Sequence, residues 1–333
     1  MGGKRKYKIL SIRFRAQSKA ALFVLFAVVL GAQSKPDIQV NVDLVTVACA
    51  VNNHSGAPAE NLTSGVFKLL DNGEPRVIRN FWRESDLPLT VALVADISGS
   101  QSAYIRSHRQ AIEQFLSQVI GPRDRAMVVE VAQQSLLLAP LTASKDELRS
   151  AVANIGMPAG KQAPALGPPC RSNSFPHSCG GTALWHGLYY TALALQPVAG
   201  RKAIIILSDG LDTGSDIALP ALVEAAQSAG TVVYAMKYLS PMRFFSISGA
   251  IAQAVSHGLE RLCRETGGLV FPSPGKHTAE VFARIEADLR NLYVLGFTPP
   301  AGERDGKFHT LQVTTTRPDL VIRARAGYWA SRN

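Results

Sequence analysis

Short apolar runs alternate with segments of helical periodicity along residues 88–272. The runs predict buried strands at 90–96, 125–131, 203–208, 231–236 and 269–271. The segments between them predict helices at 102–120, 182–195, 219–229 and 251–266, with a further helix that begins after Ser144. Strands and helices that alternate in this way form parallel sheets with helices on both faces. The predicted fold class is therefore α/β, with a doubly wound and mostly parallel sheet.

The pattern changes to β on both sides of this block. Before it, strands are predicted at 38–51, 66–70 and 76–82. After it, a helix predicted at 277–295 gives way to strands at 293–297, 307–314 and 320–326. Neither flank has enough strands to bury a core alone, so we expect the two flanks to pair into one β module. The resulting boundaries are 35–86 for the first β segment, 87–292 for the α/β domain and 293–333 for the second β segment.

Residues 1–34 have the pattern of a secretory signal. A basic start is followed by an apolar run at 20–30 that is too short to span a bilayer comfortably, and Ala32-Gln33-Ser34 supplies small residues for cleavage. The alternative is an uncleaved anchor, the one case in which a membrane would be a partner. Both alternatives predict export, to the periplasm, the cell envelope or the medium.

The charge of the chain is concentrated in this same segment. The net charge is +10, but without residues 1–34 the chain has 28 basic and 25 acidic residues, a net charge of +3. A body so close to neutral gives no electrostatic basis for binding nucleic acid.

The four cysteines divide into a pair in one loop and two that are predicted to be buried. Cys170 and Cys179 flank eight residues of a long loop rich in Gly, Pro and Ser (156–180), and a disulfide that closes so short a loop is plausible after export. A zinc site that uses His177 is the alternative, although its spacing fits no zinc pattern well. Cys49 and Cys263 are predicted to be small buried hydrophobic residues, and a bridge between them stays open.

The candidate chemistry lies where the strand at 90–96 ends. Asp96, Ser98 and Ser100 follow this strand and precede a helix, so one carboxylate and two hydroxyls are expected at the carboxyl edge of the sheet, where open α/β sheets bind ligands. Hard cations such as Mg²⁺ prefer such oxygen ligands. Asp or Ser at this position also caps helices, which is the simpler interpretation of these residues alone.

Two later stretches favour the metal. Thr182 stands at the entrance of a predicted helix, and Ser208-Asp209-Gly210 ends a second buried strand. The order Asp-x-Ser-x-Ser, Thr, Ser-Asp-Gly resembles the metal-ion-dependent adhesion site (MIDAS) of von Willebrand factor type A (VWA) domains. The flanking segments, among them 42–47 and 323–328, resemble a bacterial subfamily of exported VWA-related proteins.

The resemblance implies a metal site and a binding function. Asp96, Ser98, Ser100, Thr182 and Asp209 would hold Mg²⁺, Mn²⁺ or Ca²⁺, the two serines directly and the other three directly or through water. A Glu or Asp of a partner protein would complete the metal shell. The resemblance thus implies an adhesion-type binding module and not an enzyme. The Gly- and Pro-rich loop before Thr182 is either a partner-selecting surface or a disordered insertion.

Two other functions compete with this one. A divalent cation at a sheet edge also suits a metal-dependent hydrolase, although no Lys or His motif beside the three loops supplies a base. The third possibility is a structural envelope protein with a vestigial site. The presence of all five expected ligand types argues against it.

Overall fold

The structure is a computed structural model that describes residues 44–85, 87–158, 160–169, 181–239, 249–272, 275–303 and 305–330. The predicted signal (1–34) and the two cysteines of the predicted short-loop disulfide, Cys170 and Cys179, lie outside the described residues. In the part of the chain that is described, no helix is both long and apolar enough to cross a membrane.

Fourteen strands and six α-helices are described. The strands are β1 (Val45–Asn53), β2 (Phe67–Asp71), β3 (Glu74–Arg76), β4 (Asn80–Glu84), β5 (Leu89–Asp96), β6 (Arg125–Val131), β7 (Ser135–Thr142), β8 (Arg201–Ser208), β9 (Thr231–Lys237), β10 (Val270–Pro272), β11 (Leu292–Phe297), β12 (Phe308–Thr315), β13 (Leu320–Ala324) and β14 (Gly327–Trp329). The helices are α1 (Ile105–Gln118), α2 (Lys145–Asn154), α3 (Leu184–Leu195), α4 (Leu219–Ser228), α5 (Gly249–Thr266) and α6 (Thr278–Arg290).

A six-stranded sheet forms the centre of the α/β domain, in the order β10-β9-β8-β5-β6-β7. All its pairings are parallel except that of β6 with the edge strand β7. Every residue of β5 is buried, which explains its unbroken apolar run. Alternate residues of β5 enter opposite cores, with Leu93 facing α1, α2 and α6 and Val94 facing α3, α4 and α5. The predicted fold class is confirmed.

The flanking segments form two antiparallel sheets that pack into a β sandwich. One sheet has the order β13-β1-β11-β4 and the other β14-β12-β2-β3, so each contains strands from both flanks of the chain. A separate apolar core fills the space between them, with Tyr293 and Phe297 from the first sheet and Phe67 and Leu311 from the second. The expectation of one β module built from both flanks is confirmed.

Two local predictions were wrong, and one strand was missed. The run 76–82 is not one strand: β3 ends at Arg76 beside β2, the exposed Val77 follows, and the chain changes sheets to start β4 at Asn80. The helix predicted to 295 ends at Arg290, because Leu292 pairs with Glu84 as the first residue of β11. The short strand β14 was not predicted.

The last turn of α6 is held by three different parts of the molecule. Asp288 accepts hydrogen bonds from Asn52 on β1 (3.1 Å) and from Arg323 on β13. The Leu289 carbonyl accepts from Arg201 on β8. Arg290 donates to Asp124 at 2.6 Å, just before β6. The α/β domain and the sandwich are therefore joined through this turn as well as through the chain itself.

Candidate functional site

The first loop of the site is built directly on the end of β5. Asp96 is fully buried, and its two carboxylate oxygens accept hydrogen bonds from the Ser98 backbone N–H (2.9 Å) and from the Ser208 hydroxyl (2.6 Å). The Ser98 and Ser100 hydroxyl oxygens lie 3.2 Å apart. This loop turns so tightly that one carboxylate and two hydroxyls gather at the carboxyl edge of the sheet, as the sequence predicted.

The second loop places Thr182 beside the third. The Ala183 N–H donates to the carbonyl of Ala132 at 2.8 Å, which fixes this loop to the end of β6. The Thr182 carbonyl accepts from the N–H groups of Thr213 and Gly214, each at 3.0 Å, and the Thr182 N–H donates back to the Thr213 hydroxyl. Thr182 is thus positioned by residues that follow Asp209 in the chain.

This approach of two loops requires a glycine. A Cβ at Gly181 would overlap the Thr213 side chain, and one at Gly214 would come within 3.0 Å of the Gly181 backbone. Close packing therefore explains why the second glycine of the Cys-Gly-Gly-Thr stretch, Gly181, stands directly before Thr182.

The third loop follows β8, the strand directly beside β5. Asp209 is almost fully buried, and its Oδ1 accepts from the Leu211 N–H at 3.0 Å. Ser208, the residue before it, uses its hydroxyl twice, since it donates to Asp96 and accepts from the Gly210 N–H. The Ser-Asp-Gly motif thus links the two carboxylates of the site through one serine, a role for Ser208 that the sequence analysis missed.

Burial sets the electrostatics of the site. Burial raises the pKa of Asp96 to about 6, although hydrogen bonds from Ser208 and Ser98 act to lower it, and the nearby charge of Asp209 raises it further. Among the described residues, no Lys or Arg side chain forms an ion pair with Asp96. The folded protein therefore holds two adjacent carboxylates whose ionised forms a cation would stabilise.

The chemistry of the donor set fits a divalent cation. The five side chains supply carboxylate and hydroxyl oxygens, which Mg²⁺, Mn²⁺ and Ca²⁺ accept, and no sulfur or imidazole that would favour softer metals. Ser98 and Thr182 are each 8 % exposed and Asp209 is 4 % exposed, so these residues are buried together with Asp96.

The turn that follows Asp209 caps the helix after Thr182. Asp212 accepts from the Trp185 N–H at 3.0 Å and Ser215 accepts from the His186 N–H at 2.9 Å. Both cap α3, the helix after Thr182. Because loop partners across 27 residues leave no local spacing signal, sequence reasoning could not find this cap.

His186 fixes the same corner of the site. Its Nδ1 lies 2.6 Å from Asp216 and its Nε2 lies 3.0 Å from the Pro168 carbonyl. The imidazole therefore ties the described part of the Gly- and Pro-rich loop to α3.

Sheet order and loop motifs can be compared with the pattern expected from the sequence. The central strands β5 and β8 carry Asp-x-Ser-x-Ser and Ser-Asp-Gly at the same sheet edge, and Thr182 is hydrogen-bonded to the loop that follows Asp209. In this arrangement the α/β core resembles a VWA domain. Its membership of the exported bacterial subfamily stays a prediction.

Comparisons with solved structures give distant likenesses. An aerotolerance-related membrane protein from Bacteroides fragilis is 14 % identical, with 60 % of this chain and 98 % of that chain covered and a TM-score of 0.43. The VWA domain of SpRpn10 is 12 % identical, with 59 % and 94 % covered and a TM-score of 0.36. The pilus adhesin SpaC from Lactobacillus rhamnosus GG is 10 % identical, with 85 % and 48 % covered and a TM-score of 0.44. No family model and no curated protein matches the chain.

A second group of possible metal ligands lies in the β sandwich, far along the chain from the VWA-like site loops. Ligand atoms of Asp71, Glu303 and His309 all lie within 4.8 Å of one another. Arg76 occupies this group, with its Nε 3.4 Å from Asp71 and its Nη2 bonded to Glu303. Tyr328 donates to Asp71 at 3.2 Å. These contacts are those of an ion-pair network that joins β2, β3, β12 and β14.

Proposed function

We propose that the protein is an exported binding module that grips an acidic group of a partner protein through a divalent cation. The cation is held by Asp96, Ser98, Ser100, Thr182 and Asp209 at the carboxyl edge of the VWA-like sheet. With only two carboxylates in the set, the bound ion keeps positive charge and an open position that a Glu or Asp of the partner can fill. The chemistry that the ion supplies is electrostatic recognition of this carboxylate.

The observation that carries the proposal is the buried pair of Asp96 and Asp209. Ionised carboxylates are costly to bury beside each other, and the raised pKa of Asp96 reflects this cost. A bound cation would offset the free-energy cost of burying the two ionised carboxylates. A carboxylate that only caps a helix would not need such a second acid beside it. Ser208 fixes the Asp96 carboxylate, and Thr213 and Gly214 hold the backbone of Thr182 against the loop that follows Asp209.

Calorimetric titration of Mg²⁺ and Mn²⁺ into the purified protein tests the proposal. We expect saturable binding at one site in the parent and none in a variant with Asp96→Ala and Asp209→Ala. The matched control is Asp146→Ala on α2, whose exposed carboxylate should leave metal binding unchanged. A second titration in the presence of millimolar acetate or an acidic peptide should show tighter binding, since the carboxylate completes the metal shell. A folded parent that binds neither ion under any of these conditions would overturn the proposal.

The proposal assigns no catalytic reaction to the site. A screen of phosphate esters checks this, and we expect no turnover above that of the double variant. Turnover that requires Mg²⁺ and disappears in Asp96→Ala would instead support the alternative of a metal-dependent hydrolase.

Export is supported by the basic and apolar pattern of residues 1–34. Fractionation of cells that express the full chain should place the protein in the envelope or the medium, and mass spectrometry of the recovered protein would locate the cleavage site. Recovery from the cytoplasm alone, with residues 1–34 intact, would contradict this part of the proposal.

A further inference from the structure

A cleft of about 360 Å³ lies at the other end of the central sheet from the metal-site loops. Its walls are the first residues of β8 and β9 on one side and strands β1, β4 and β11 of the sandwich on the other. The pairing of β5 with β8 runs from Leu89–Arg201 near the cleft to Ala95–Leu207 near the site, which separates the two places by about 20 Å along the strands.

The cleft carries an excess of positive charge. Arg201, Lys202 and Arg325 line it, against a single acidic residue, Glu84. Glu84 pairs with Arg201 at 3.1 Å. Lys202 donates to the Val198 carbonyl (2.8 Å) and Arg325 to the Thr46 carbonyl (2.9 Å), and in the described part of the chain neither forms an ion pair. Two cationic charges of the cleft are therefore not neutralised by protein carboxylates.

Unpartnered polar atoms are concentrated at the same place. Of the ten buried side-chain atoms without a hydrogen-bond partner among the described residues, four belong to residues that line this cleft. They are the Nε groups of Arg201 and Arg325, the Thr231 hydroxyl and the Gln227 amide oxygen. Thr231 and Gln227 are only 2 % and 3 % exposed. Buried polar groups are nearly always satisfied, so four unpartnered atoms on residues that line one cleft favour an occupant there.

The remaining walls are apolar. Trp82 and Leu87 belong to the large hydrophobic side chains that stay exposed on this protein, at 40 % and 38 %, and both line the cleft together with Leu292 and Val294. An apolar cleft with a few convergent polar groups is the usual form of a small-molecule site. The occupant must then be amphipathic.

We propose that this cleft binds a small organic anion, a monocarboxylate with an aliphatic or aromatic body. The Nε–H groups of Arg201 and Arg325 and the Thr231 hydroxyl donate hydrogen bonds to its carboxylate, and Lys202 adds charge. The body lies on Trp82 and Leu87. A hydroxyl or N–H on the ligand would also satisfy the Gln227 oxygen, so a hydroxylated acid should bind better than a plain one.

Burial lowers the pKa values of Arg201, Lys202 and Arg325, because it removes water from the charged groups and so destabilises their protonated forms. A bound carboxylate offsets this cost by charge-assisted hydrogen bonds. Ordered water is the other occupant that could satisfy the four atoms, but water neither neutralises the charges nor covers Trp82.

Titration of octanoate into the full chain, followed by calorimetry and by tryptophan fluorescence, tests the proposal. We expect saturable binding at one site, with octanol and octylamine at least tenfold weaker because they lack the anion. A hydroxylated acid, 2-hydroxyoctanoate, should bind more tightly than octanoate. Absence of saturable binding would overturn the proposal and indicate that water fills the cleft. Equal affinity for octanol would also overturn it and indicate unspecific apolar adsorption.

Three variants and a matched control locate the site. Thr231→Val and Arg325→Met each remove a donor and should weaken octanoate at least tenfold. Ala48→Phe places a ring into the cleft from an exposed position on β1 and should abolish binding while the protein stays folded. Arg317→Met removes an exposed arginine that pairs with Asp319 elsewhere and should change nothing. Unaltered binding by a folded Ala48→Phe variant would show that octanoate binds outside the cleft.

Discussion

The protein contains two clusters of buried carboxylates, and their surroundings differ. In the sandwich, Asp71 is fully buried, and Arg76, His309 and Tyr328 all face it within 3.4 Å. In the VWA-like domain, Asp96 is equally buried, but its hydrogen-bond partners are two serines and its charged neighbour is another acid. The first cluster contains its own cation, Arg76, whereas no Lys or Arg among the described residues forms an ion pair with Asp96. The proposed function places the divalent ion in the second cluster, although close spacing of acidic groups alone would have selected the first.

The largest expected effect tests whether the sandwich cluster is structural. Asp71→Asn removes the fully buried carboxylate that Arg76, His309 and Tyr328 face and leaves Glu303 as the only acidic partner of Arg76 among the described residues. Breaking a buried pair in this way costs about 3–5 kcal/mol of unfolding free energy. Urea unfolding followed by circular dichroism measures it. Asp146→Asn, an exposed pair partner on α2, is the control and should change stability by less than about 0.5 kcal/mol. A loss below about 1 kcal/mol for Asp71→Asn would show that Arg76 does not depend on it.

In the absence of metal, we expect Asp96→Asn to raise the free energy of unfolding at neutral pH, whereas Asp71→Asn lowers it. Its pKa is about 6 in the folded protein and about 3.9 in the unfolded chain, so between these values the folded state binds more protons and stability falls as pH rises. Full stability is present below pH 4, and about 3 kcal/mol is lost by pH 7. Urea unfolding of the parent and of Asp96→Asn at pH 4 to 7 with a chelator measures this difference.

Excess Mg²⁺ should cancel that pH dependence in the parent and leave Asp96→Asn unaffected. The same loss of stability with and without Mg²⁺ would mean that no ion binds beside Asp96, and the distinction between the two clusters would fail.

A smaller effect is expected from the contact between the second and third loops. Gly181→Ala forces its Cβ against Thr213 and should cost about 1–2 kcal/mol of stability, with at least tenfold weaker Mg²⁺ binding as Thr182 shifts. Gly99→Ala, in the first loop, meets no atom within 4 Å and is the matched control. Thermal unfolding and calorimetry separate the two. Similar behaviour of both variants would show that the close approach does not position Thr182.

The smallest effect compares two helix caps. Asp212→Ala should cost about 1 kcal/mol, and Ser144→Ala, which removes the cap of α2 at Glu147, should cost about the same. Only Asp212→Ala should also weaken Mg²⁺ binding, by a few-fold, because α3 follows Thr182 directly. Equal Mg²⁺ affinity in both variants would show that the cap of α3 does not affect metal binding.

The elements that carry the site could be predicted because their signals are local. A fully buried parallel strand leaves an unbroken apolar run, and ligands that follow such strands meet at one edge, so β5, β8 and their end residues were found from the sequence. The Ser144 cap was found for the same reason, since its partner Glu147 is three residues away.

The rest depends on pairings between distant residues. Asp212 caps a helix that begins 28 residues earlier in the chain, and the network around Asp71 joins it to residues more than 200 positions away. Leu292 satisfies both helical and strand spacing, so only its pairing with Glu84 decides where α6 ends. The cleft draws its walls from seven separate elements and leaves no pattern in the sequence.

The pairing of β4 with β11 has a mechanical consequence. The chain leaves the sandwich at Glu84 and returns to it at Leu292, and these two residues are neighbours in one ladder. A pull between residues 44 and 330 is therefore borne by the sandwich alone and bypasses the metal site. A pull between the loops at the carboxyl edge of the central sheet and residue 44 must instead pass from the α/β domain into the sandwich, through the chain connections and the contacts of Arg201 and Asp288. Under the proposed function, tension applied by a bound partner would therefore load these contacts.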